Sequence, residues 1–282
     1  MFAIFVFRLA PISVNAQKIA IMEKSKTVGY APINGLKMYY EIHGSGNMPL
    51  VLIHGGGSTI DTSFGNIMPW FSAHRKVIAV ELQAHGRTND RAAPESFEQD
   101  AEDVAALLKY LKVDKANFLG FSNGGSTTMQ IAIRHPEMVN KIVVIAGAYK
   151  RGGFIAGFFD GFKNATLANM PDVLKEAYLK VAPDKNNLKV MFDKDVARME
   201  TFKDWSDEAI RSIKAPALFM VADRDVITVE HTAQMSRLVQ GAQLVVLPGS
   251  HGLFIGAAEA GTKKDGKLHG ITASLVEEFL NE

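Results

Sequence analysis

A chain of 282 residues in which 47% are hydrophobic is long enough to bury one large core, and chains of this size that alternate strands and helices often form a single unit. Its 31 Lys and Arg against 30 Asp and Glu leave a formal net charge of +1, which gives no electrostatic footprint for nucleic acid. There is no cysteine, so disulfides, a cysteine nucleophile and thiolate metal sites are excluded together.

The first residues admit two readings. The apolar run Met1-Phe2-Ala3-Ile4-Phe5-Val6-Phe7 followed by the small-residue stretch Val14-Asn15-Ala16 fits a secretory signal, which places the protein in the periplasm or outside the cell. The run is short, is broken by Arg8 and has no basic residue before it. That fits a true start at Met22 and a cytoplasmic protein equally well. Both readings set residues 1–25 apart from the fold as a leader or disordered extension. No later stretch reaches the ~20 apolar residues of a membrane span.

Beyond residue 25, strands and helices alternate. The stretches 37–42, 50–53, 76–82, 117–121, 141–146, 216–222 and 243–247 read as strands. Residues 97–111, with Val104, Leu107, Leu108 and Leu111 at helical spacing, read as an amphipathic helix, and Ser96 and Gln99 are placed for a capping box at its start. Further helices are predicted at 126–135, 229–239 and 271–280. The alternation predicts an α/β fold with a doubly wound, mostly parallel sheet. Residues 149–214 break it, offering several short amphipathic helices rich in Phe, Met and Trp. An insertion there lies over the carboxyl ends of the strands, where ligands bind in such sheets. The expected organisation is a core of residues 26–148 and 215–282 with a helical cap at 149–214, and some cap aromatics are expected to line an apolar pocket.

Four segments carry chemistry. Gly120-Phe121-Ser122-Asn123-Gly124 follows a short apolar strand and precedes a helical stretch. In the pattern G-x-S-x-G, a strand turning straight into a helix holds the central residue in a strained, exposed conformation, and the small flanking residues let the backbones approach. His54-Gly55-Gly56-Gly57 ends an earlier strand and matches the H-G-G-G turn that supplies an oxyanion-hole N–H. Two later strands end in Asp223-Arg224-Asp225 and in Pro248-Gly249-Ser250-His251-Gly252. The order is therefore nucleophile, acid, histidine, each at a strand end.

These residues together resemble the α/β-hydrolase superfamily of serine esterases, lactonases and related enzymes. Residues 29–44 are similar to its opening β-hairpin, and Ala79-Val80-Glu81-Leu82-Gln83-Ala84-His85-Gly86-Arg87-Thr88 is similar to its loop after the fourth strand. The acid segment departs from the family pattern, with Ala222 where many relatives carry glycine and no proline after the acid. The resemblance implies Ser122 as nucleophile, His251 as base and Asp225 as the acid that orients it, with the Gly56 and Asn123 N–H groups binding the oxyanion. Asp223 is expected to form the turn, and His54 to be structural. His43, His74, His85, His135, His231 and His269 read as surface, turn or core residues. No H-E-x-x-H pairing is present, so neither a metal nor a cofactor is expected.

Serine at the elbow sets the chain apart from relatives that place aspartate there to open epoxides or remove halide. The favoured partner is a small ester or lactone hydrolysed through an acyl-enzyme. Similar triads host carbon–carbon bond hydrolases, perhydrolases and hydroxynitrile lyases, and the same fold serves as a ligand-sensing receptor with little turnover. Neither a nucleic-acid partner nor a membrane span is expected, and the sequence leaves the oligomeric state and the natural substrate open.

Overall fold

A computed structural model of the chain describes residues 26–261 and 267–282; the leader readings for residues 1–25 fall outside them. Eight strands, β1 (Thr27–Ile33), β2 (Leu36–His43), β3 (Leu50–Ile53), β4 (Val77–Val80), β5 (Ala116–Phe121), β6 (Val139–Ile145), β7 (Ala217–Arg224) and β8 (Gln243–Ser250), form one sheet in the order β1-β2-β4-β3-β5-β6-β7-β8. The pairs β1–β2 and β2–β4 are antiparallel and the rest are parallel. The opening hairpin turns on Asn34 and Gly35, both at positive φ, which is the two-residue Asn-Gly turn whose twist matches that of paired strands.

The central strands are largely apolar because both faces of the sheet are covered. Successive side chains point to opposite faces, and two cores result. Val51, Ile53, Phe118, Ile142 and Val144 pack on one face with Val104 and Leu108 of α3 (Phe97–Tyr110), Met129 of α4 (Asn123–Arg134) and Met235 of α9 (Val229–Leu238). Leu50, Leu52, Leu119, Val143 and Ile145 pack on the other with Phe64 of α1 (Ile60–Phe64), Phe71 of α2 (Met68–Ser72) and Val276 and Phe279 of α10 (Leu268–Asn281). The sheet is doubly wound, as the alternation predicts.

Several boundaries differ from the sequence reading. The α4 helix begins at Asn123, ahead of the predicted 126, because Gly124 and Gly125 join its first turn. Strand β4 ends at Val80, and the next residue, Glu81, turns its buried carboxylate to the Arg87 guanidinium at 2.7 Å. The capping box at α3 is only half formed: the Ser96 hydroxyl accepts the Gln99 N–H at 3.1 Å, while the Gln99 amide donates to Asp103 instead.

Between β6 and β7 lie only helices: α5 (Asp160–Lys163), α6 (Asp172–Val181), α7 (Leu188–Thr201) and α8 (Asp207–Arg211), with short 3-10 turns among them. This insertion has its own apolar clusters. Met170, Leu174, Tyr178, Leu188 and Met191 form one, and Met199 and Phe202 join Phe97 of α3 in another. No helix among the described residues is long and apolar enough to cross a membrane.

Candidate active site

The parallel strands deliver the four chemical segments to one edge of the sheet. At the end of β5, Ser122 has φ 55° and ψ −120°, a conformation that L residues adopt only when their surroundings impose it. The surroundings do so. The Ser122 N–H donates to the Ile145 carbonyl at 2.8 Å, and α4 starts at the next residue. A Cβ on Gly120 would collide with the Gly124 carbonyl, and one on Gly124 with the Ile53 carbonyl. The spacing of the two glycines thus follows from backbone packed against backbone. The same turn sets Ser122 at the N-terminus of a 12-residue helix, where free N–H groups and the helix dipole favour negative charge.

Across the edge, the Nδ1–H of His251 donates to Asp225 Oδ1 at 2.6 Å. Asp225 is buried, and its oxygens also accept the N–H groups of Ala222 and Ile227, each at 3.3 Å. Ala222, which stands where the family pattern has glycine, thus offers the acid its backbone N–H. With Nδ1 carrying the donated proton, Nε2 is left as the basic nitrogen. The His251 ring lies against Phe121, the residue before the serine, with centroids 4.7 Å apart. Asp223 turns elsewhere and accepts the Gly249 N–H at 2.7 Å. His269 packs against Trp70 at 6.3 Å.

Ser122, His251, Gly56 and Asn123 all line one cavity of about 450 Å³. Its remaining walls are largely apolar. Phe154, Phe158, Phe162, Met191 and Phe202 of the insertion face Ala146, Val226 and Ile227 of the sheet edge. Trp205 stands behind the wall, with its ring 5.9 Å from Phe97 and 6.0 Å from Phe202.

Two histidines, His54 and His85, are buried with their rings 4.8 Å apart. His54 is fully buried, donates from Nδ1 to the Gly55 carbonyl at 2.7 Å and accepts the Leu82 N–H on Nε2 at 3.1 Å. Burial, with the nearby His85 charge, drives its pKa down to about 3, so it stays neutral and braces the turn. His85, expected to be a surface, turn or core residue, is a core one: it lies in a buried ionic cluster with Asp195, which lines the cavity. Its Nδ1–H donates to the Gln83 carbonyl at 2.7 Å, and its Nε2 lies 3.0 Å from Asp195 Oδ2. Burial alone would lower the His85 pKa, but the Asp195 carboxylate outweighs it and raises the value to about 9. That shift favours the doubly protonated ring, with Nε2 facing the Asp195 carboxylate.

Asp195 belongs to α7, more than 100 residues away in sequence, and nothing local marks it. It also accepts the Gly57 N–H at 2.5 Å, which ties the insertion to the His54–Gly57 turn. Its helix neighbours do the same elsewhere. Lys194 donates to Asp90 and to the Arg91 and Ala93 carbonyls at 2.6–2.8 Å. Arg198 is buried between Glu95 at 2.6 Å and Asp100 at 3.1 Å. One side of α7 is thus clamped onto the segment after β4 by three charged residues.

A model of the alpha/beta hydrolase fold family matches residues 48–190, just over half of the sequence. The chain belongs to the α/β-hydrolase fold family. A stretch of 223 residues is 27% identical to the dihydrolipoyllysine-residue acetyltransferase component of the acetoin cleaving system of Pseudomonas putida, covering 77% of this chain and 57% of that protein. The chain thus spans little more than half the length of that relative. Another relative, the serine hydrolase BPHL of Homo sapiens, is 26% identical over 252 residues, with 83% of this chain and 84% of the human one covered. The crystal structure of an enol-lactonase from Burkholderia xenovorans LB400 superposes with a TM-score of 0.69 at 22% identity over 90% of this chain and all of that one, a likeness in fold.

Proposed function

We propose that this α/β-hydrolase is a serine hydrolase that cleaves a carboxylic ester or lactone of a small, largely apolar substrate through an acyl-enzyme. The observation that carries the reading is Ser122, held in a strained strand-to-helix turn, in the same cavity as a histidine fixed by a buried aspartate. In this account His251 Nε2 takes the Ser122 hydroxyl proton as Oγ attacks the substrate carbonyl. The N–H groups of Gly56 and Asn123 receive the oxyanion, Asn123 from the first turn of α4. The tetrahedral species collapses to the acyl-enzyme as the imidazolium returns its proton to the leaving oxygen. Water then repeats the cycle on the acyl group. Asp225 holds the Nδ1–H tautomer and balances the transient imidazolium. Residues 149–214 act as a cap over the site, and their aromatic wall takes the acyl chain. The name of the human relative, a serine hydrolase, and that of the structural neighbour, an enol-lactonase, agree with this class of reaction.

Steady multiple turnover of a short-chain p-nitrophenyl ester tests the proposal, together with Ser122→Ala, which should stay folded while kcat falls by ~10⁴ or more. A purified Ser122→Ala protein that kept most of the activity would exclude the assignment, and a wild-type protein that bound esters without turning them over would be a receptor.

A further inference from the structure

The cavity wall holds one polar group that an ester hydrolase for plain acyl chains has no need of. Asp195 lines the cavity beside Gly56 and Asn123. A Cβ on Gly56 would lie 3.4 Å from both Asp195 oxygens and 2.6 Å from the Asn123 amide nitrogen. The carboxylate therefore borders the place where the proposed mechanism gathers negative charge. Its two oxygens differ. Oδ2 accepts the Gly57 N–H and lies 3.0 Å from His85 Nε2. Oδ1 is buried and has no hydrogen-bond partner. A buried carboxylate oxygen left unpaired is costly, and an anion next to a developing oxyanion raises the barrier unless a donor stands between them.

We infer that Asp195 Oδ1 is a specificity determinant that accepts a hydrogen bond from a neutral donor, a hydroxyl or an amide N–H, on the carbon next to the substrate carbonyl. The donor is neutral because the charge of Asp195 is already balanced by His85, so the free oxygen lacks a hydrogen bond and not a counter-ion. It sits next to the carbonyl because Asp195 flanks Gly56, one of the two proposed oxyanion donors. The rest of the molecule then follows from the walls: Phe158, Phe162, Met191 and Phe202 make the lining beyond that polar position largely apolar, which suits an apolar chain. This inference names a substrate class for the site proposed above, and rests on that reading for the position of the carbonyl.

Binding to the Ser122→Ala protein, measured by calorimetry, tests it without relying on turnover. The probes are ethyl 2-hydroxyhexanoate, N-hexanoylglycine ethyl ester and, as the matched compound without a donor, ethyl hexanoate. At least one donor-bearing ester should bind about tenfold more tightly than ethyl hexanoate, as expected for a hydrogen bond to a charged acceptor. The preference should fall to about one when Asp195→Ala is added. Equal Kd values for all three esters in Ser122→Ala would overturn the inference whether or not Asp195→Ala folds, and so would a preference that survives Asp195→Ala. Absence of ester turnover by the wild-type enzyme would instead count against the proposed reaction and leave this comparison intact.

Discussion

His251 Nδ1 and Asp225 Oδ1 lie 2.6 Å apart, joining the ends of β8 and β7. Asp223, two residues earlier, holds the backbone of the loop that carries the histidine, through the Gly249 N–H at 2.7 Å. The two aspartates therefore do different things at one strand end, and their conservative variants should separate. Asp225→Asn should leave the fold intact and lower kcat by up to ~10⁴, because the amide no longer fixes the tautomer. Asp223→Asn should cost about 0.5–1.5 kcal/mol of stability from a weakened backbone hydrogen bond, with a much smaller effect on kcat. The reverse ranking in steady-state kinetics would show that Asp223 is the orienting acid.

The aromatic wall predicts chain-length selectivity. Phe158 and Phe162 line the cavity, whereas Trp205 supports it from behind. Phe158→Ala and Phe162→Ala should shift the kcat/KM ratio between butyrate and octanoate esters toward the longer chain, by about tenfold or more, as each methylene in an apolar pocket is worth ~1–3 kcal/mol of discrimination. Trp205→Ala should cost about 2–4 kcal/mol of stability with less change in that ratio. An unchanged ratio in both Phe variants would show that the insertion does not hold the acyl chain.

The His85–Asp195 pair predicts a pH dependence of stability. Burial works against both charges, yet the pair raises the His85 pKa to about 9 and lowers that of Asp195. Because the folded His85 pKa lies above the ordinary value of ~6.5, its contribution is fully present below that pH and is lost as pH rises through about 9. For Asp195 the sign is opposite: its contribution is present above the ordinary carboxylate pKa and is lost only in strong acid. In Asp195→Asn the imidazolium loses its partner. The Tm gap between wild type and Asp195→Asn should accordingly be widest near pH 5–6 and narrow steadily toward pH 10. A gap independent of pH would mean that His85 is neutral in the folded protein.

The sequence makes the sheet and the candidate reacting groups legible for local reasons. Apolar runs ending in Gly-rich or Asp- and His-bearing turns mark β3, β5, β7 and β8, and each such turn carries its chemistry within a few residues of the strand. The lining role of Phe158 and Phe162 follows from where the insertion falls between β6 and β7. The ionic cluster does not announce itself. Asp195 and Arg198 look like ordinary charges of an exposed helix, and only the fold brings them against His85, Glu95 and Asp100. A buried Arg cannot be told from a solvated one by spacing alone. Likewise, Trp205 and Phe202 are near neighbours in sequence, and side-chain direction alone decides which faces the cavity. The half-formed box at Ser96 has the same origin, since Asp103 competes for the Gln99 amide one turn further on.

In the proposed reaction Ser122 is the nucleophile, activated by His251. Treating the folded protein with a fluorophosphonate probe and mapping the adduct by peptide mass spectrometry tests it most directly. The account predicts one adduct, on the peptide carrying Ser122, formed at a rate that Asp225→Asn sharply lowers and Ser122→Ala abolishes. Labelling of another serine, or of Ser122→Ala at the wild-type rate, would contradict it.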